Sequence, residues 1–322
     1  MGMNPINNSS QPFVSVVMIT YNHDKFIAEA INGVLMQQCN FNIELIVAND
    51  SSVDKTDDII QNYLTNNSNS SCIRYFRQSN NVGMTANFIF ALNQCKGKYI
   101  AFCEGDDYWT DPFKLQKQVD FLENNLTYSV CWTKYEILEQ DVLKKVEVFT
   151  RTEFNIGKYD VTLDSIFDPY VVHTATCLFR NKTNFSVWHS LNYAKDNTIF
   201  ILLLLDGKGA ILDFESAVYR QHPGGIYSSK TELKNITDNY YNLKEINSVL
   251  LKHKISRLKQ VERSFLYMMF YLMCNSSVNG FNKAKAILKI YFKIIGSSPW
   301  RTKYWASKDI LKQIYLRLKP GS

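Results

Sequence analysis

Three carboxylates, Glu104, Asp106 and Asp107, fall within four residues directly after the apolar run 99–103. Acids packed this closely repel one another unless a divalent cation or a proton neutralises them. The run reads as a fully buried strand, so the acids sit at its carboxyl end, where open α/β sheets place their ligands. Gly105 leaves room for a ligand to approach the backbone, and Asp111-Pro112 reads as the N-cap and first residue of a helix. A cation-binding cluster is the expectation, with a solvated acidic turn as the alternative.

Two further groups fall at equivalent strand ends. Thr20-Tyr21-Asn22 closes the first strand, and Asn49-Asp50-Ser51-Ser52 closes the second. The Tyr21 ring can stack on a planar base, and the Asp50 carboxylate can accept from a base N–H. Each also reads as a simple helix cap or turn. Asn80-Asn81-Val82-Gly83 then precedes a helix carrying Asn87, and Gly83 lets the backbone approach a nucleotide or phosphate. No GxGxxG and no GxxxxGK[ST] occurs, which argues against a dinucleotide fingerprint and a P-loop.

Regular elements must hold these groups in place. The pattern predicts strands over 14–19, 43–48, 73–76 and 99–103, alternating with helices over 24–37, 54–64 and 84–95. Such a βαβ series gives a mostly parallel sheet with helices on both faces, an α/β fold. A helix over 113–124 leads to strands over 128–137, 142–149 and 176–179, a helix over 197–205, and short strands over 210–214 and 217–219. Beyond Thr231 the pattern is helical only. The expected organisation is a tail over 1–12, an α/β domain over 13–230 and a helical region over 231–322.

Composition bounds the class. A chain of 322 residues, 46% apolar and 14% aromatic, is globular. Seven scattered cysteines without a CxxC pair look like reduced core residues of a cytosolic protein, so neither a disulfide framework nor a zinc site is supported. No signal peptide is visible, and the longest apolar runs fall far short of the roughly 20 residues of a spanning helix. Residues 281–322 hold ten Lys or Arg against the single acid Asp309, leaving the rest of the +6 chain mildly acidic. That balance argues against a general nucleic-acid coat. The apolar stripes 258–272 and 287–295 keep helical spacing, and Lys285, Lys289 and Lys293 fall largely opposite the second. This is an amphipathic basic tail suited to a membrane surface, to another subunit, or to an ordinary solvated bundle.

Taken together, VSVVMITYN, ELIVANDSSVDKT, NNVGMTAN and GKYIAFCEGDDYW resemble, in order and spacing, the family 2 glycosyltransferases, inverting enzymes with the GT-A fold. The resemblance covers roughly residues 13–230. It implies that Thr20, Tyr21, Asn22, Asp50, Gly83 and Asn87 hold a nucleotide-sugar donor, commonly a UDP-sugar. It also implies that Asp106 ligates Mg²⁺ or Mn²⁺ with Asp107 beside it. Glu104 stands where the family has Asp and would reach a ribose hydroxyl or the metal through water. Asp196, in Ala194-Lys195-Asp196-Asn197, looks like the family's catalytic base, although Lys195 departs from the pattern and an N-cap role is the alternative. In YRQHPGGIYSS, His222 would ligate the metal and Arg220 would pair with phosphate oxygens. His173 lies on a candidate acceptor-side strand but reads first as a hydrogen-bonded core histidine.

The implied activity is metal-assisted sugar transfer to a saccharide or lipid-linked saccharide in polysaccharide biosynthesis, at or near the inner face of the cytoplasmic membrane. A sugar-phosphate nucleotidyltransferase and a catalytically silent nucleotide- or glycan-binding module are the competing readings.

Overall fold

Short apolar runs separated by turn-forming residues build strands and helices in alternation. The computed structural model describes residues 11–146, 158–163, 166, 172–225, 230–258 and 261. The first half comprises β1 (Val14–Thr20), α1 (Ile27–Leu35), β2 (Ile43–Asn49), α2 (Thr56–Asn66), β3 (Ile73–Arg77), α3 (Met84–Gln94) and β4 (Tyr99–Phe102). β5 (Tyr108–Trp109), α4 (Lys114–Asn124), β6 (Tyr128–Glu139), β7 (Val142–Lys145), β8 (Lys158–Val161) and β9 (Leu178–Arg180) follow. The chain continues through α5 (Asp196–Leu205), β10 (Lys208–Gln221) and α6 (Glu232–Lys252).

The strands form one sheet in the order β3-β2-β1-β4-β9-β6-β10-β5, with β7 on β6 and β8 on β10. β3, β2, β1 and β4 are mutually parallel, as the βαβ pattern predicts. Beyond β4 the sheet turns mixed: β9 runs antiparallel to β4 and β6, β6 runs parallel to β10, and β5 runs antiparallel to β10. These reversals matter for the site. Because β9 opposes β4, the residues preceding β9 arrive at the edge where β4 ends, beside Glu104. Because β10 opposes β5, its last residues arrive beside Asp106 and Asp107.

The core lies between the sheet and its helices. Val14, Val16, Met18, Leu45, Val47, Tyr99 and Ala101 pack with Ile27, Ala30, Ile31 and Val34 of α1, all fully buried. Emptying one such site, Ile31→Ala for example, costs about 2–5 kcal/mol. The sequence divides 210–219 into two strands, whereas the structure has one long β10 whose register slips on either side of Glu215. A bulge keeps the strand continuous while breaking its alternation, which explains the interrupted pattern.

The described residues fall into two compact units, one within Met1–Ser186 and Lys195–Gly225, the other within Val187–Ala194 and Ile226–Ser322. In the second, the Thr231 hydroxyl caps α6 by accepting from Lys234 N–H, and Tyr193 stacks on Tyr241 with centroids 4.8 Å apart. No helix among the described residues is long and apolar enough to cross a membrane. The six described cysteines are free, and burial raises the thiols of Cys103, Cys131 and Cys177 above their ordinary range. The basic stripe over 281–322 and most of the apolar stripe over 258–272 lie outside the described residues.

Candidate active site

The chain leaves β1 and β2 through turns that few side chains tolerate. Asn22 and Ser51 both take left-handed backbone conformations, with φ of 57° and 60°. The two turns are stapled together: Asn22 N–H donates to the Ser52 hydroxyl at 2.9 Å, Val53 N–H to Asn22 Oδ1 at 2.9 Å, and His23 N–H to the Thr56 hydroxyl at 2.8 Å. Strain held by surrounding bonds at a sheet's carboxyl edge is a common mark of a ligand site. Tyr21 projects from this staple with 41% of its surface exposed.

Asp50 is buried, and its two oxygens accept from Val82 N–H at 2.8 Å and Gly83 N–H at 2.9 Å. It therefore fixes the turn into α3. Gly83 has φ of 86° and nothing within 4 Å of where a Cβ would stand, leaving an open approach to its backbone. Asn87, expected at the donor, has both ends of its amide on protein: Nδ2 donates to Ala48 carbonyl at 2.8 Å, and Oδ1 accepts from Gln78 at 3.1 Å. It braces α3 against β2.

The acidic cluster behaves unlike the other buried acid of the sheet. At the opposite edge, Glu44 has both oxygens satisfied, by Ser15 at 2.6 Å, Lys96 N–H at 2.8 Å and Arg74 at 2.7 Å. At the carboxyl edge, Glu104 Oε2, Thr20 Oγ1 and His23 Nδ1 are buried with no partner among the described residues. Buried polar atoms are normally paired, so three orphans in one place point to a missing ligand or water. Gly105 completes this cradle, since a Cβ there would stand 2.7 Å from Thr20 Oγ1 and 3.0 Å from His23 Nδ1.

Asp106 is the focus. Its Oδ2 lies 3.3 Å from His222 Nε2 and 3.7 Å from His23 Nε2. Burial works against its charge, but the hydrogen bond from His222 and the neighbouring His23 outweigh burial and hold the carboxyl below its ordinary range. Burial holds the His23 imidazole below its usual value. His23 was not singled out from sequence, although it directly follows Thr20-Tyr21-Asn22; its proximity to Asp106 depends on how β1 and β4 pair.

Two of the expected ligands have protein partners in the structure. Asp107 was placed on the metal beside Asp106. Instead its Oδ1 accepts from Arg220 N–H at 3.0 Å, its Oδ2 lies 3.7 Å from His173, and burial together with the Asp106 and Glu104 charges pushes its carboxyl well above the ordinary range. Both Asp107 oxygens thus lie against protein groups, Arg220 N–H and the His173 ring. Arg220 was placed on phosphate. Its guanidinium instead donates to the Asp106 carbonyl at 2.8 Å, pairs with Glu29 and lies over the Tyr108 ring at 4.3 Å. It fixes the backbone of the acidic turn.

Among the described residues, no three acidic, histidine or cysteine side chains converge closely enough to hold a metal by themselves. Asp106 and His222 nevertheless fit an ion of the Mg²⁺ or Mn²⁺ kind, which takes one or two protein ligands and completes its shell with substrate phosphates and water. The unpartnered atoms beside Asp106 leave polar capacity there for a further ligand or water.

Asp196 opens α5 behind Lys195, whose N–H donates to the Thr198 hydroxyl at 3.1 Å. Its Oδ1 accepts from Asn197 N–H at 2.8 Å, and α5 directs its amino end at this carboxylate. Asp196 acts electrostatically on Glu104, His173, Tyr135 and Tyr219, so the fold gathers it with the acidic turn. Burial pushes the Glu104 carboxyl up to about 7, against a hydrogen bond from Thr174. Asp106, His222, Glu104 and Asp196 thus gather at one edge of the sheet, within electrostatic reach of His173 and Tyr219.

The family model described as Glycosyl transferase family 2 matches residues 15–187. An uncharacterised protein of Mycobacterium tuberculosis is 32% identical over 216 residues, 67% of this chain, and the match spans 61% of that relative's own length. An uncharacterised glycosyltransferase of Haemophilus influenzae is 26% identical over 260 residues, 76% of this chain and 99% of that one. Among solved structures, residues 1–349 of S. aureus TarS in complex with UDP-GlcNAc superpose with a TM-score of 0.62 at 20% identity, covering 92% of this chain and 88% of that one. The architecture is the GT-A, Rossmann-like fold.

Proposed function

Because the chain belongs to glycosyl transferase family 2 and is a glycosyltransferase, we propose that it moves a sugar from a UDP-sugar to a saccharide or lipid-linked saccharide, inverting the anomeric centre. The observation that carries this reading is that Asp106 and His222 stand beside unpartnered polar atoms at the sheet's carboxyl edge, with Asp196 near enough to act on Glu104 and His173. A UDP-GlcNAc complex of the TarS relative supports a donor of this kind.

In this reading the nucleoside lies over Tyr21 and against the Asp50-braced turn at Gly83. Asp106 and His222 would hold Mg²⁺ or Mn²⁺, which when bound offsets the charge that gathers on the leaving diphosphate. His23 and the Arg220 bonds to the Asp106 carbonyl keep that carboxylate oriented. Asp196 takes the proton from the acceptor hydroxyl as its oxygen attacks the anomeric carbon from the face opposite the diphosphate. The departing charge leaves toward Asp106 while the proton moves toward Asp196, so the two carboxylates serve opposite ends of one displacement. Residues 281–322 are assigned to an anionic membrane surface, placing the enzyme at the inner face of the cytoplasmic membrane.

The test is a thermal-shift screen of nucleotide sugars with and without Mn²⁺, because a ligand binding only the folded state raises its apparent stability. A metal-dependent upward shift with UDP-sugars is expected. Turnover of the stabilising donor by wild type, lost in Asp196→Asn, separates an enzyme from a silent binding module. Stabilisation by a nucleoside triphosphate with a sugar phosphate would favour a nucleotidyltransferase instead.

A further inference from the structure

His173 stands among the acids at the sheet's carboxyl edge. Asp106 and Asp196 both act on its imidazole, and its Nδ1 stands 3.7 Å from Asp107 Oδ2. The ring is packed against Tyr219, with centroids 4.4 Å apart, and against Tyr135 at 5.2 Å. It carries only 15% side-chain exposure.

The turn that bears it is firmly anchored. Ala175 carbonyl accepts from Trp109 Nε1 at 2.7 Å, and Thr176 carbonyl accepts from Gln118 Nε2 at 2.8 Å. Thr176 returns both its N–H and its hydroxyl to the His173 carbonyl, at 3.1 and 2.8 Å. Such a support holds a side chain in one place, as a positioning group requires.

Its tautomer follows from its bonds. Nδ1 accepts from Ala175 N–H at 3.3 Å, and this nitrogen therefore lacks a proton in the neutral ring. The proton resides on Nε2, whereas the polar contacts of the ring among the described residues are made at Nδ1. A core histidine would have both nitrogens satisfied. Among the described residues, this one keeps its Nε2 donor available to a ligand.

We propose that His173 is a sugar-positioning residue whose Nε2–H donates to a hydroxyl of the transferred sugar. The inference rests on the donor assignment above and deepens it. In the proposed arrangement the sugar lies between the diphosphate, near Asp106, and the base, Asp196, and both acids act on the His173 imidazole. The surrounding carboxylates accept hydroxyl protons, whereas the imidazole donates to a hydroxyl oxygen, so the pocket reads a ring hydroxyl from both sides.

The experiment measures binding of UDP, UDP-GlcNAc, UDP-glucose and UDP-galactose, with Mn²⁺, to the full chain by titration calorimetry. His173→Asn keeps an acceptor for Ala175 N–H and removes the Nε2 donor; His173→Gln restores a donor near the Nε2 position. Wild type should bind one UDP-sugar more tightly than UDP. In His173→Asn that preference should fall roughly 3–10-fold, the worth of one hydrogen bond, with UDP affinity and melting temperature unchanged. His173→Gln should recover part of it. An unchanged preference in His173→Asn, an equal loss of UDP and UDP-sugar, or identical behaviour of the two variants would overturn the role while leaving the donor assignment intact. A wild type that binds none of the four would overturn both.

Discussion

Glu104→Gln should make the protein more stable above neutral pH. The Glu104 carboxyl is raised from 4.5 to about 7, chiefly by burial. Below pH 4.5 the group is protonated whether the chain is folded or not, and it imposes no penalty. As pH rises through 4.5 the unfolded chain releases the proton while the folded chain keeps it, so stability falls until the folded group also ionises near 7. A shift of that size corresponds to roughly 3 kcal/mol at 1.36 kcal/mol per pH unit. Glu104 retains some solvent contact, which reduces the figure to about 2 kcal/mol. Glutamine keeps an oxygen for Thr174 and never ionises. Differential scanning fluorimetry should show Glu104→Gln melting about 4 °C above wild type at pH 8, with most of the gain gone at pH 5. An equal gain at both pH values, or a lower melting temperature at pH 8, would refute the idea that a charge is held against burial at this site.

Asp106→Ala should lose about two to three decades of transfer rate while remaining folded, checked by product formation and circular dichroism. Asp196→Asn should lower kcat by roughly 10²–10⁴ with donor affinity unchanged, since it removes a proton acceptor and no donor contact. His23→Ala should raise the Mn²⁺ concentration for half-maximal binding, read by manganese EPR in the presence of UDP, by about 10–100-fold, the usual effect of losing a group that orients a ligand. Gly83→Ala should cost about 1–3 kcal/mol, visible as a lower urea midpoint, because φ of 86° with ψ of 155° is a conformation essentially confined to glycine, although the added methyl meets no neighbour.

The parallel half of the sheet was legible because β1 to β4 are apolar runs punctuated by turn residues, and the carboxyl edge followed from strand direction alone. The antiparallel strands were less legible. β5 has two residues, too few for a period, and β10 hides its continuity behind the bulge at Glu215. Motif order brought out Asp50, Asp106 and Asp196 as candidates. Which neighbour each acid meets was hidden, since Asp106 and Asp107 differ only in the face on which the turn places them. Arg220 carries a charge suited to phosphate, and only the fold shows it bound to Glu29 and the Asp106 carbonyl. His23 and His173 reach the site through pairings 80 residues or so apart in the chain, which no local pattern encodes.

The central claim is that the acids beyond β4 form the diphosphate end of a sugar-transfer site. Anomalous diffraction from crystals grown with UDP and Mn²⁺ tests it most directly. The expected map has one manganese peak bridging the diphosphate to the Asp106 carboxylate and His222 Nε2, with no peak on Asp107. UDP bound away from the turn at Gly83, or manganese bound without Asp106, would contradict it.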